Sequence, residues 1–282
     1  MGIKKIVKNV IRSISLKKVT AKVVSLAPNE SLTGRVALIT GGSGGIGFAI
    51  AEAFVKSGAN VVISGRNREK VTDIKKQLDA LCQGNQKVMA IQMNVRKVDS
   101  FETNLNMIVK EFGKLDILVN NAGVTRGIGS MEEVYDEVLE TNLKGPYFLS
   151  LTTANYMVKN KIRGNILNIC SSSSLRPANS PYCLSKWGLR GLTLGLAKTY
   201  VKYGITVNGI APGPTATSMF GADKHGRIDN RHSPIGRLTM PEEIANMAVF
   251  LVGDMGRTII GDIIYMTGGS AVITYDDVSY GV

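Results

Sequence analysis

Tyr182 and Lys186 lie four residues apart in the segment Tyr182-Cys183-Leu184-Ser185-Lys186. On a helix that spacing puts them on one face, a turn apart. An ammonium beside a phenol favours the phenolate, so the lysine is expected to draw the tyrosine pKa down toward working pH. A phenol tuned in this way can give a proton to a carbonyl oxygen or take one from an alcohol. The pair follows four consecutive serines, Ser171 to Ser174, and then Leu175-Arg176-Pro177. Tyrosine and lysine meet at this spacing on many helices by chance, so their meaning depends on what surrounds them.

A second chemical signal lies upstream. The apolar run 35–40 leads into Thr40-Gly41-Gly42-Ser43-Gly44-Gly45-Ile46-Gly47 and then into an apolar helical pattern. Glycines suit a tight strand-to-helix turn in which backbone N–H groups approach a pyrophosphate at the helix N-terminus. Gly41, Ser43, Gly45, Ile46 and Gly47 are therefore candidate contacts to a dinucleotide. No Gly-Lys-Ser or Gly-Lys-Thr follows, which separates the loop from the phosphate loops of nucleotide hydrolases. Gly41-x-Ser43-x-Gly45 also fits a hydrolase nucleophile elbow. That chemistry needs an acid and then a histidine after a late strand, whereas His225 and His232 fall in an irregular Gly- and Asn-containing stretch. A glycine turn without a ligand is the blandest alternative.

The run 60–64 ends in Ser64-Gly65-Arg66-Asn67. Dinucleotide folds place an acid roughly 20 residues past the glycine loop to bind the ribose 2′-hydroxyl, whereas a nearby arginine accommodates a 2′-phosphate. Gly65 stands where the acid is expected and Arg66 follows it, so NADP(H) is expected ahead of NAD(H). The competing reading leaves Arg66 as a solvated charge at a strand end.

These residues need a scaffold, and the chain supplies one. Short β-branched-rich runs at 35–40, 60–64, 87–93, 115–119, 164–170, 205–210 and 262–266 alternate with helix-length segments near 45–57, 67–83, 98–112, 131–160, 179–203 and 241–253. Such alternation specifies an α/β fold, a Rossmann-like doubly wound parallel sheet of about seven strands with helices on both faces. No composition shift divides it, so residues 34–275 are expected to form a single domain, preceded by an extension and linker at 1–33 and followed by a tail at 276–282.

Of the 282 residues, 44% are hydrophobic and 20% charged, which excludes a disordered chain or a disulfide-stapled module. Three cysteines without a CxxC, and two histidines, offer no metal site and suit a reducing cytoplasm. No apolar run is long enough to span a membrane, and no secretory signal is read at the N-terminus. The formal net charge is +12, of which +7 comes from the first 22 residues and +5 from the other 260. The folded body thus lacks the basic, aromatic-lined surface of a nucleic-acid binder. Within 3–18, Ile3, Ile6, Val7, Val10, Ile11 and Ile14 share one helical face and Lys4, Lys5, Lys8 and Arg12 lie off it. That segment is suited either to peripheral contact with an anionic membrane or to packing on a protein partner.

In order along the chain stand the loop Thr40–Gly47, the turn Asn120-Asn121-Ala122-Gly123, Asn142, Ser171, Tyr182-x-x-x-Lys186 and Pro212-Gly213-Pro214-Thr215-Ala216-Thr217. With this series over roughly residues 32–270 the sequence resembles the short-chain dehydrogenase/reductase family in its compact single-domain form. The resemblance implies Tyr182 as catalytic acid/base and Lys186 as the residue that binds the nicotinamide ribose and lowers the tyrosine pKa. It implies Ser171 as the hydrogen-bond partner of the substrate carbonyl, and Asn142 as the residue positioning a relay water. Asn121, Ala122 and Gly123 would close over the cofactor, with Pro212, Gly213, Thr215 and Thr217 near the nicotinamide and phosphates. It also implies a small carbonyl or alcohol substrate and a homo-oligomer, dimer or tetramer.

Two features depart from the family pattern. Asn94-Val95 stands where an aspartate usually contacts adenine, and the interval from Ser171 to Tyr182 is short. Ser171 directly follows the strand, so it is the expected catalytic serine, with Ser173 as the alternative and Ser172 turned away by strand alternation. Cys170 and Cys183 adjoin these residues and are read as small packing groups rather than redox sensors. Gly188, Gly191 and Gly195 suggest a close helix approach. The stretch 213–239, with Met219, Phe220, His225, Arg227, Arg231, His232 and Arg237, is the expected substrate loop. A 3-oxoacyl thioester or similar ketone leads as substrate, ahead of a sugar, polyol or other hydroxy compound, and ahead of a non-catalytic nucleotide-binding scaffold.

Overall fold

The computed structural model describes residues 29–217, 228–231 and 233–274. The expectations for the segment 3–18, for Met219, Phe220, His225, Arg227 and His232, and for the tail 276–282 lie outside the described residues.

Seven strands form one sheet: β1 (Val36–Thr40), β2 (Asn60–Gly65), β3 (Val88–Gln92), β4 (Ile117–Asn120), β5 (Asn165–Ile169), β6 (Thr206–Pro212) and β7 (Ile263–Met266). All pair in parallel, in the order β3-β2-β1-β4-β5-β6-β7. Helices α1 (Gly45–Lys56), α2 (Arg68–Asp79), α3 (Phe101–Phe112), α4 (Met131–Leu139), α5 (Gly145–Lys159), α6 (Pro181–Tyr200) and α7 (Pro241–Val252) join them. The doubly wound α/β sheet is as the alternation of runs requires, and strand boundaries differ from the apolar runs by only a few residues.

Side-chain alternation along the strands sorts the core into two layers. Ala37, Ile39, Val61, Ile63, Ile117 and Val119 face α1, α2 and α7. Val36, Leu38, Val62 and Leu118, between them, face α3, α5 and α6. Burial on both faces explains why the strands read as continuous apolar runs rather than alternating ones. The folded body begins ahead of the expected linker boundary: Leu32 is fully buried and its N–H donates to the Ser57 carbonyl at 2.8 Å.

Two elements differ from the sequence reading in ways that matter for the site. The helical stretch 131–159 is continuous but contains a π turn, Glu140–Lys144, which joins α4 to α5 and carries Asn142. Beyond β5 the chain enters a single 3-10 turn, Ser172–Leu175, rather than continuing extended. No helix among the described residues is long and apolar enough to cross a membrane.

A chain of buried amides and hydroxyls crosses the sheet beneath the site. Asn120 Nδ2 donates to Asn168 Oδ1 at 2.8 Å and to Ser150 Oγ at 2.9 Å. Asn168 Nδ2 in turn donates to Thr193 Oγ1 at 2.8 Å, joining β4 and β5 to α5 and α6. Each group is satisfied only while the others are present. Asn168→Leu is expected to cost about 2 to 4 kcal/mol by stranding its partners. Urea unfolding should show a lower midpoint at an unchanged m value.

Candidate active site

Strand order reverses at β1 and β4, which are neighbours whose connections run to opposite sides of the sheet. A crevice opens there at the strands' carboxyl ends, the usual ligand position in this architecture. The Thr40 hydroxyl accepts the N–H groups of Asn121 and Ala122, both at 3.0 Å. The Asn121 amide donates to the carbonyls of Thr40 and Gly41 at 2.9 and 3.1 Å. These bonds lock the turn after β4 to the glycine loop after β1.

The glycine loop is shaped by what it must pass. Gly41 has φ of 65°, in the left-handed region, and a side chain there would meet Ala122 Cα at 2.9 Å. A Cβ on Gly47 would lie 2.4 Å from both Asn121 Nδ2 and the Gly41 carbonyl oxygen. Gly47 therefore packs behind the loop and allows the close approach of Asn121. A cradle of bare backbone at the start of α1 fits the pyrophosphate of a dinucleotide.

Ser180 caps α6, accepting the Cys183 N–H at 3.3 Å, and Pro181 occupies its first turn. This start places Tyr182 and Lys186 one turn apart over the ends of β5 and β6. The Lys186 ammonium donates to the Ile169 carbonyl at 3.0 Å and lies 5.7 Å from the centre of the Tyr182 ring. The Ser171 side chain is the polar group near the Tyr182 hydroxyl that favours its charged form. Ser171 caps the 3-10 turn, its Oγ accepting the Ser173 N–H at 3.1 Å. Strand geometry ends at Ile169, and Ser171, Ser172 and Ser173 are all among the residues around the cleft.

Asn142 sits one layer behind. Its Oδ1 accepts the Val124 N–H at 2.8 Å, and its Nδ2 donates to the Val124 carbonyl at 2.8 Å and to Ser185 Oγ at 3.1 Å. Ser185 donates in turn to the Tyr182 carbonyl at 2.7 Å. The π turn thus positions both the loop after β4 and the first turn of α6.

The cleft has a volume of about 400 Å³. Fourteen of the sequence candidates line it: Gly41, Ser43, Gly45, Ile46, Asn121, Ala122, Gly123, Ser171, Tyr182, Lys186, Pro212, Gly213, Thr215 and Thr217. Gly47, Asn142, Arg66, Asn94 and Val95 are not among its lining residues. Arg66 is largely exposed and ion-paired with Glu137 of α4 at 3.5 Å. Asn94 Oδ1 accepts the Arg96 N–H at 3.1 Å in a local turn, and Val95 is buried. Lys70, Val124, Thr125 and Arg176 line the cleft and were not expected from the sequence. Lys70 is an exposed helix residue, and nothing in its local pattern marks it. Arg176 is 3% exposed beside the serine run, where its charge was the available signal.

Burial governs the titration of the central pair. It pushes the Tyr182 phenol above its ordinary value, with the Ser171 side chain pulling the other way. The direction is opposite to the one expected from the neighbouring ammonium, because loss of hydration is the largest influence on the phenol. The same burial lowers Lys186 to about 8. Cys170 is pushed up to about 11 by burial, so its thiol is a packing group and not a nucleophile. With Lys186 depressed from 10.5 to about 8, the unfolded chain binds the extra proton between these values, and stability rises with pH across that window. Thermal unfolding of the ligand-free protein from pH 7 to 10 should show this rise, and Lys186→Met should lack it.

The family model described as short chain dehydrogenase matches residues 35–227. A 3-oxoacyl-(acyl-carrier-protein) reductase of Rickettsia bellii is 38% identical over 249 residues, covering 86% of this chain and 99% of that protein. Glucose 1-dehydrogenase 2 of Bacillus subtilis is 34% identical over 252 residues, covering 85% of this chain and 96% of that protein. A crystal structure of a short chain dehydrogenase from Burkholderia cenocepacia in complex with NADP superposes with a TM-score of 0.73 at 30% identity, covering 84% of this chain and 98% of that one. The matches span both the glycine loop and the Tyr182–Lys186 helix, and the strand order is that of a doubly wound dinucleotide fold. The chain belongs to the short-chain dehydrogenase family of nicotinamide-dependent oxidoreductases.

Proposed function

We propose that this protein is an NADP(H)-dependent carbonyl reductase or alcohol dehydrogenase, with Tyr182 as the acid/base. The observation that carries the reading is the grouping of Ser171, Tyr182 and Lys186 in the wall of the cleft at the β1–β4 reversal, with the Lys186 ammonium 5.7 Å from the Tyr182 ring centre. Gly41, Ser43, Gly45 and Ile46 would hold the pyrophosphate, and Asn121, Ala122, Gly123, Pro212, Gly213, Thr215 and Thr217 the nicotinamide half. The bound nicotinamide supplies or accepts the hydride.

In the reducing direction, Ser171 donates a hydrogen bond to the substrate carbonyl oxygen and fixes its distance from Tyr182. Tyr182 passes its proton to that oxygen as the alcohol forms. A phenol held above its ordinary pKa stays protonated and ready to donate. Lys186, lowered to about 8, exchanges a proton near neutral pH and resupplies the phenol. Asn142 fixes the Val124 backbone and Ser185 around that relay. Oxidation of an alcohol runs the same transfers in reverse.

Among substrates, a 3-oxoacyl thioester or similar ketone is preferred, in line with the Rickettsia bellii reductase. The likeness to glucose 1-dehydrogenase 2 supports a sugar or polyol as the second reading. A homo-oligomer accompanies the proposal. Leu184, Trp187 and Leu194 are exposed along α6, and a methyl group at Gly191 or Gly195 would meet only open space, so these glycines serve no packing need within the subunit.

NADPH and NADH oxidation measured against 3-oxoacyl thioesters, ketones, diketones and keto-sugars tests the reading. Tyr182→Phe is expected to lower kcat/KM by about 10² to 10⁴ on whichever carbonyl class is turned over. Unaltered turnover in that variant would remove Tyr182 from the chemistry.

A further inference from the structure

Resting on the proposed preference for NADP(H), the geometry points to Lys70, rather than Arg66, as the cation that reads the 2′-phosphate of the cofactor. The adenosine ribose must lie where the glycine loop meets the end of β2. There Gly44 and Gly65 carry no side chains, and Ser43 lies between them: a Cβ on Gly65 would stand 3.4 Å from Ser43 Oγ. A Cβ on Gly44 would stand 3.7 Å from the Lys70 ammonium. Lys70 therefore reaches back from α2 and covers the space that Gly44 leaves empty. Lys70, Ser43 and Gly44 all line the cleft.

Arg66 is adjacent in sequence but engaged elsewhere. Its guanidinium is 3.5 Å from Glu137 Oε1, and that same carboxylate oxygen is 3.9 Å from Arg96. Turning Arg66 onto a phosphate would break this pair. Among the described residues, no carboxylate pairs with the Lys70 ammonium, so its charge is available to a ligand. The Lys70 backbone is also fixed: its N–H donates to the Asn67 side chain at 2.8 Å in the cap of α2. A fixed backbone and an uncommitted ammonium suit a point-charge phosphate contact.

The site also resists the opposite specificity. A Cβ on Gly65 would lie 2.8 Å from Val71 Cγ1, too close without displacement. An acid to bind a free 2′-hydroxyl thus cannot be placed at that position unless the Val71 side chain gives way.

The test is direct binding of adenosine 2′,5′-bisphosphate and of 5′-AMP by calorimetry, alongside KM for NADPH and NADH. In Lys70→Met, affinity for the bisphosphate should fall about tenfold to a hundredfold, with NADPH KM rising in parallel. Affinity for 5′-AMP and KM for NADH should stay within about twofold, and Lys70→Arg should retain most of the preference. Arg66→Met should change the bisphosphate affinity by less than about threefold. The proposal is overturned if Lys70→Met weakens both ligands equally, which would mark a pyrophosphate contact or a general field, or if Arg66→Met carries the loss. If the wild type binds 5′-AMP as tightly as the bisphosphate, the NADP(H) reading itself fails and takes the role of Lys70 with it. Because Lys70 is exposed, an unchanged Tm in the variant separates a lost contact from a damaged fold.

Discussion

The structure turns on a single hydroxyl. Thr40 ends β1 and receives two successive backbone N–H groups from the turn after β4, where neighbouring strands send their connections to opposite faces. Without that bond, two donors would be left in a largely buried crevice, an expensive arrangement for any backbone. With it, the glycine loop and the Asn121-Ala122-Gly123 turn hold a constant separation, and the cleft has a defined floor before any ligand arrives. The later parts of the site are built out from this edge: the serine turn after β5, α6 over β5 and β6, and Pro212–Thr217 after β6.

The electrostatics of the site follow from where that floor lies. Burying a phenol and an ammonium side by side shifts each toward its neutral form, the phenol upward and the amine downward. The two groups are therefore moved apart in proton affinity from their near-equal values in water, and the ammonium, now the stronger acid, can pass a proton downhill to a phenolate. The Ile169 carbonyl and the Ser171 hydroxyl keep the pair in place without adding a charge.

Much of this was legible in the sequence because a parallel sheet covered on both faces must be written in apolar runs, and because glycine loop, serine run and Tyr182–Lys186 pair fall at strand ends. What was hidden depended on contacts distant in sequence. The ion pair that draws Arg66 toward α4 involves Glu137, which no local pattern links to β2. Lys70 carries the same helical context as any solvated lysine, and only the fold sets it against Gly44. The π turn leaves no mark in the sequence, because apolar periodicity carries on through 131–160 while the hydrogen-bond pattern changes. The 3-10 turn that begins at Ser172, three residues past the end of β5, has no mark of its own in a run of four serines. The upward shift of the Tyr182 phenol is not legible in the sequence, because spacing reveals a neighbour's charge and says nothing of how much water is lost.

Gly47 shows how such constraints bind positions to one another. The volume a side chain would need there is already taken by the Asn121 amide, which is in turn engaged with the carbonyls of Thr40 and Gly41. A smaller residue at 121 would remove only half of that conflict, because the Gly41 backbone carbonyl also stands in the way, and it would leave the glycine-loop carbonyls unanswered. The three positions 41, 47 and 121 form an epistatic unit. No side-chain change at 41 or 121 frees position 47 while the Gly41 backbone keeps its path, so descendants of this sequence must redirect the loop backbone itself to remodel it.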